Sequence, residues 1–99
     1  MSGFIFDKDG NAVGVRLDPY IFDLEGNPIG QLLNNYVFTL SGKYIGEFHK
    51  DMILDKNINP GNVSPQINVG KIREFRNPGN RGKVDYGYPD VFHRLLETD

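Results

Sequence analysis

Tyr20-Ile21-Phe22-Asp23-Leu24-Glu25-Gly26-Asn27-Pro28-Ile29-Gly30 decides the fold, because its pattern recurs on both sides at a spacing of sixteen residues. Phe4-Ile5-Phe6-Asp7 stands sixteen before its start and Tyr36-Val37-Phe38-Thr39 sixteen after. Two glycine series keep the same beat. Gly10, Gly26 and Gly42 form the first, and Gly14, Gly30 and Gly46 the second, with Val13, Ile29 or Ile45 before each member of the second. Aromatic and β-branched residues favour strands, and an Asp that opens a four-residue turn ending in Gly suits a type I turn. Asp7-Lys8-Asp9-Gly10 and Asp23-Leu24-Glu25-Gly26 obey that rule, and Thr39-Leu40-Ser41-Gly42 is the same turn with a weaker first residue. Each unit therefore reads as a β-hairpin whose turn glycine takes the left-handed conformation and forms a G1 bulge. The second glycine series falls inside the returning strand, where glycine marks a bend or a close backbone approach.

A fourth unit opens on the beat with Met52-Ile53-Leu54-Asp55, and Asn68-Val69-Gly70-Lys71-Ile72 matches its returning strand. Seven residues lead from Asp7 to Gly14 but fifteen from Asp55 to Gly70, so the fourth hairpin carries an insertion of eight. The enlarged loop, 56–67, is rich in Pro and Gly and is long for a small domain, which makes it a place where function is often put. One domain covers 1–99, with repeats at 4–19, 20–35, 36–51 and 52–72 and a loop and helix over 73–99. A lone hairpin is marginal in water, so the four must bury their apolar faces against one another, and closure about an axis does this without the capping units a solenoid needs. Residues 89–97 read as a short α-helix, with Pro89 in its first turn and Val91, Phe92, Leu95 and Leu96 on one stripe that caps the hairpin cluster. The fold class is mainly β: four hairpin repeats in a compact pseudo-four-fold arrangement with a short C-terminal α-helix.

This pattern, from Tyr20-Ile21-Phe22-Asp23 through Ile29-Gly30 with its copies over residues 4–72, resembles the 4-fold β flower family. The resemblance implies four hairpins about a pseudo-four-fold axis in a bacterial domain of about this size. It implies no activity and transfers no site residues, and the enlarged fourth loop departs from perfect symmetry.

Composition narrows the function classes. The 99 residues hold no cysteine, which removes disulfides, thiolate nucleophiles and thiolate metal sites, and the net charge of -2 argues against a duplex-DNA binder. No apolar run reaches the ~18 residues of a membrane span, and the start of the sequence does not read as a signal peptide, so a cytoplasmic location is expected. His49 and His93 fall in different elements, and no nucleophile elbow, H-E-x-x-H, P-loop or Rossmann fingerprint is present. No enzyme and no cofactor are therefore expected. An acid-base site assembled by the fold from His49 with Asp51 or Asp55 is the enzymatic alternative. Asp7, Asp23 and Asp55 occupy equivalent positions, but turn initiation explains each, and no metal site is assigned. Tyr20 and Tyr36, with Phe4 and Met52 at the matching positions, read as core rather than as a ligand cup.

Charge is uneven along the chain. Lys71, Arg73, Arg76, Arg81 and Lys83 face only Glu74, a local sum of +4, whereas residues 1–57 sum to -3. With Gly79 and Gly82 offering backbone amides as an anion nest, and Tyr86 and Tyr88 offering faces for a base, these residues form a candidate site for a small anionic, nucleotide-like ligand. Asn-Pro-Gly-Asn occurs at 59–62 and again at 77–80, either as a chance turn consensus or as the paired rim of that pocket. The competing reading is an adaptor module whose arginines rim a protein contact. Exposed strand edges in so small a domain also point to a homo-oligomer, with a dimer favoured.

Overall fold

The computed structural model of the chain describes residues 2–97. Seven strands, β1 (Ser2–Phe6), β2 (Ala12–Leu17), β3 (Tyr20–Phe22), β4 (Pro28–Leu33), β5 (Tyr36–Phe38), β6 (Tyr44–His49) and β7 (Met52–Leu54), form one antiparallel sheet in chain order. The sixteen-residue repeat is a hairpin each time. Asp7, Asp23 and Thr39 accept from the fourth-residue glycine at 3.1, 3.1 and 3.0 Å, and those glycines have φ of 89°, 90° and 101°. The Asp7 and Asp23 carboxylates accept amide protons from Asn11 and Asn27 at 2.9 and 2.8 Å, so they are spent on turn geometry. Each hairpin has its bulge one step further on, where Ile5, Ile21 and Val37 face Gly14, Gly30 and Gly46, while the next strand residue pairs with Ala12, Pro28 or Tyr44.

The sheet curls into a nearly closed barrel around a core led by Ile5, Ile21, Val37 and Ile53, one residue from each repeat and all fully buried. Closure departs from the expected register. In the first three hairpins the turn is sealed by Asp7, Asp23 or Thr39 donating to Asn11, Asn27 or Lys43, but the equivalent Asp55 donates to Pro89 at 2.8 Å. Four residues separate each of the earlier pairs and thirty-four separate the last, so the insertion is thirty residues rather than eight. The returning partner of β7 is 89–91, joined by a Leu54 to Asp90 bridge and by the Val91 amide on Ile53 O at 2.9 Å. Residues 68–72 are not a strand. Their likeness to the returning strand rested on an apolar residue before glycine, which an extended segment of another kind satisfies equally well.

The fourth returning strand stops early, because position 92 holds phenylalanine where the other repeats hold glycine. There the chain turns inward as a 3-10 helix, Phe92–Leu96, instead of the expected α-helix. At three residues per turn Phe92 and Leu95 lie on one side, so both are buried, whereas Leu96 is left 60% exposed outside the expected stripe. Each second-series glycine makes room for this plug. A Cβ on Gly14 would stand 3.0 Å from the Phe92 ring, one on Gly30 3.1 Å from Leu95 and one on Gly46 2.8 Å from Val91. The seat left empty by the fourth strand goes to β1: the Phe6 amide donates to Asp51 O at 2.8 Å, as Leu32 does to Pro19 and Phe48 to Asn35, the residues just before β3 and β5.

Between β7 and Pro89 runs a strap without regular secondary structure, bound to the three hairpin turns in reverse order. Val63 and Gln66 donate to Gly42 and Leu40, Ile72 and Phe75 to Gly26 and Leu24, and Arg81 and Val84 to Gly10 and Lys8, at 2.6 to 3.1 Å. The step is nine residues each time. Six hydrogen bonds worth about 0.5–1.5 kcal/mol each do not alone order a segment that loses about 1–2 kcal/mol per residue. Burial on a three-residue period supplies the rest, for Val63, Gln66, Val69, Ile72, Phe75, Arg81 and Val84 are half-buried while the residues between them are exposed. A Gly46→Ala variant is expected to lose about 1–3 kcal/mol in urea unfolding through overpacking. Gly3→Ala, with nothing within 4 Å of the new methyl, serves as the neutral control, and equal stability of the two proteins would show that neither the Leu54 carbonyl nor the plug needs the glycine.

Candidate functional site

The strap disperses the cationic residues. Lys71, Arg73 and Arg76 sit at the second hairpin turn with their side chains exposed, and Gly79, Arg81, Gly82 and Lys83 lie beside the first. Gly79 and Gly82 do have positive φ, 91° and 90°, but their amides already donate to the side chains of Asn77 and Asn80 at 2.8 and 2.6 Å. The expected anion nest is therefore occupied by the chain's own Asx turns. The two Asn-Pro-Gly-Asn copies rim no common pocket. They are eighteen residues apart, two strap steps, so 59–62 lies by the third turn and 77–80 by the first.

Arg81 turns inward. Its guanidinium lies 4.3 Å from the centre of the Phe6 ring and pairs with Asp51, whose other oxygen accepts from the Tyr86 hydroxyl at 3.1 Å. Asp51 is also the residue whose carbonyl receives the Phe6 amide, so one position joins the strap to the closure of the barrel. The hydrogen bond and charge of Asp51 hold the Arg81 proton more tightly than usual. Burial, and then Asp51, push the Tyr86 phenol above the ordinary tyrosine value.

Lys83, Tyr86 and Tyr88 converge on a groove of about 710 Å³ between the first hairpin turn and the end of the strap. Met52, Lys8, Asp9, Asp85 and Asp90 complete its polar and apolar walls. Asp90 fixes the geometry, with one carboxylate oxygen on the Lys8 amide at 3.1 Å and the other on the Phe92 amide at 3.2 Å. The bend that presents the two tyrosines is an Asx turn, Gly87 N to Asp85 Oδ1 at 2.7 Å, with Gly87 at φ 87°. Lysines lie over both rings: Lys50 is 5.1 Å from Tyr86 and Lys56 5.4 Å from Tyr88. Lys56 also donates to Glu47 at 3.2 Å and to His49 Nδ1 at 2.9 Å. Since an ammonium only donates, His49 carries its proton on Nε2, and its ring packs edge-on to Tyr86 at 5.2 Å.

Glu47, Lys50, Lys56, Lys8 and Asp90 were not legible as members of this site from their neighbours in sequence. The nine-residue strap step was the available signal, since it brings 83–90 back to the first turn. Of the four matching positions read as core, Met52 is buried, whereas Phe4, Tyr20 and Tyr36 are only half-buried. Among the described residues no group of three or more His, Asp or Glu is placed to hold a metal, and no helix is long and apolar enough to cross a membrane.

The folded value of Tyr86 lies above its ordinary 10.0, so its contribution to stability is whole below that pH and is lost as the pH rises through the folded value. Burial raises the Tyr44 phenol as well, so ultraviolet titration is expected to show two late-ionising tyrosines, with unfolding made easier over the same alkaline range. Tyr86→Phe should remove one of the two and leave that of Tyr44, and a titration in which both survive the substitution would assign the second elsewhere.

A second hollow, of about 590 Å³, lies by the third turn against Lys43, Tyr44, Asn59 and Asn62, without a carboxylate in its lining. Neither the curated proteins nor the solved structures contain a match to this chain. The family model described as 4-fold beta flower protein matches residues 3–85, which take in the three hairpins from the second residue of β1 onward, together with β7 and the strap through Asp85. Hairpins on a sixteen-residue beat, closed into a nearly complete barrel and bound by that strap, are what the match covers, and the chain belongs to the 4-fold beta flower family.

Proposed function

We propose that the chain is a non-catalytic binding domain that takes a small planar ligand with anionic groups in the groove at the end of the strap. The observation that carries this reading is the convergence of Tyr86, Tyr88, Lys8 and Lys83 on one cavity of about 710 Å³. Tyr88, 47% exposed, offers a face for stacking, and the two lysines suit phosphate or carboxylate at the mouth. Tyr86 is already committed to Asp51 and serves as a fixed wall. Three carboxylates, Asp9, Asp85 and Asp90, outnumber the two lysines in the lining and reduce the charge available to an anion, although backbone amides orient Asp90 twice and Asp85 once. A non-catalytic role suits the Glu47, Lys56 and His49 run, whose charges are satisfied within the run itself. A cytoplasmic setting is proposed with it, where nucleotide ligands abound and a chain without cysteine needs no oxidation to fold.

A second reading, an adaptor, is favoured by Lys71, Arg73 and Arg76, which stand exposed on the outer strap and do not line the groove. Thermal-shift screening against nucleotides and cyclic dinucleotides separates the two. A ligand at a hundred times its dissociation constant adds about 2.7 kcal/mol of stability. Under the groove reading Tyr88→Ala and Lys83→Ala each weaken the shift at least tenfold in ligand concentration, and Arg73→Ala with Arg76→Ala leaves it unchanged. If no such compound raises the melting temperature, the adaptor reading takes its place.

A further inference from the structure

The strap has two electrically different halves. Residues 57–70 contain no charged side chain, whereas Lys71, Arg73, Arg76, Arg81 and Lys83 follow within thirteen residues. The uncharged half crosses the sheet beside a hollow of about 270 Å³ between the turn at Pro19 and β4, and no charged residue lines it. Three of its polar side chains are tied inside the chain. The Tyr20 hydroxyl donates to Gln66 Oε1 at 3.3 Å, and Gln31 Nε2 donates to the Thr39 and Ser64 carbonyls, at 3.1 Å each. An apolar side chain entering the hollow would thus strand none of these hydrogen-bonding groups.

Two large apolar side chains flank the hollow in full view of water. Leu33, in its lining, is 56% exposed, and Ile67, next in the chain to the lining residue Gln66, is 86% exposed, the highest value among the large exposed hydrophobics. A β-branched side chain held in water on an ordered, proline-flanked strap needs a partner more than a loop tip does. Knob and hollow lie side by side on one surface, which is the condition for a two-fold contact in which each copy supplies both. Electrostatics selects the same face. A two-fold axis sets like residues opposite one another, so the cationic half would repel its own copy and the uncharged half would not.

We infer that the chain forms an isologous dimer through the uncharged half of its strap, with Ile67 of each copy seated in the Leu33 hollow of the other. The inference is independent of the groove, which lies at the opposite end of the strap. Sedimentation of the full chain at micromolar concentrations is expected to give a dimer of the 11.2 kDa chain. Ile67→Glu and Leu33→Glu should each shift it to monomer with an unchanged circular dichroism spectrum, and Arg73→Glu should leave it dimeric. Because the chain has no cysteine, Leu33→Cys and Ile67→Cys proteins can be mixed and oxidised, and a cross-linked heterodimer of the two is expected. A monomeric wild type, or a dimer that survives both glutamate variants, overturns the inference.

Discussion

The pairing of β7 with 89–91 is the constraint from which the rest of the architecture follows. β7 ends at Leu54, its backbone and that of Asp55 need a partner, and that partner arrives only after thirty additional residues. A segment of that length has to be stored on the surface of a small barrel without leaving its polar backbone unpaired. The three hairpin turns supply the acceptors: each presents its second-residue and glycine carbonyls, and the strap meets them every ninth residue. The direction of travel follows from the ends, since the strap must leave the fourth unit beside the third turn and finish beside the first.

Two glycine series that look alike in sequence answer to two different neighbours. Gly10, Gly26 and Gly42 need positive φ for the turn, and the strap backbone then crosses directly above them, leaving no space for a side chain. At Gly14, Gly30 and Gly46 the requirement is room for the neighbouring strand's carbonyl, of Phe22, Phe38 or Leu54, and for Phe92, Leu95 and Val91 beside it. Three repeats lack a side chain at the second position, and the fourth repeat supplies Phe92 there to fill the centre. Departure from symmetry in one unit thus completes the core of the other three.

The groove is a product of the same constraint. It lies where the strap stops following the hairpin turns and becomes the partner of β7, so its walls come from the first turn, the strap end and the bridge residue Asp90. Arg81 ties that region to Asp51, and hence to the amide of Phe6 that closes the barrel. Tyr86 belongs to both, lining the groove and donating to the Asp51 carboxylate.

The repeat, the hairpins, the turn glycines and the four buried positions at 5, 21, 37 and 53 were legible in the sequence because each rests on local rules, strand alternation and the stereochemistry of type I turns. The inward location of Val91, Phe92 and Leu95 was legible for the same reason, although the five-residue length turned the expected α-helix into a 3-10 helix and put Leu96 outside. Tertiary structure alone decided where the fourth hairpin closes. Asn68-Val69-Gly70-Lys71-Ile72 and Pro89-Asp90-Val91 are both plausible strands locally, and only competition for the edge of β7 separates them. It also decided the site. Charge density along the chain grouped Lys71, Arg73 and Arg76 with Arg81 and Lys83, but a strap that advances one hairpin turn every nine residues carries neighbours in sequence to different turns, and brings Tyr86 and Tyr88 to Lys8 across nearly the whole length of the chain.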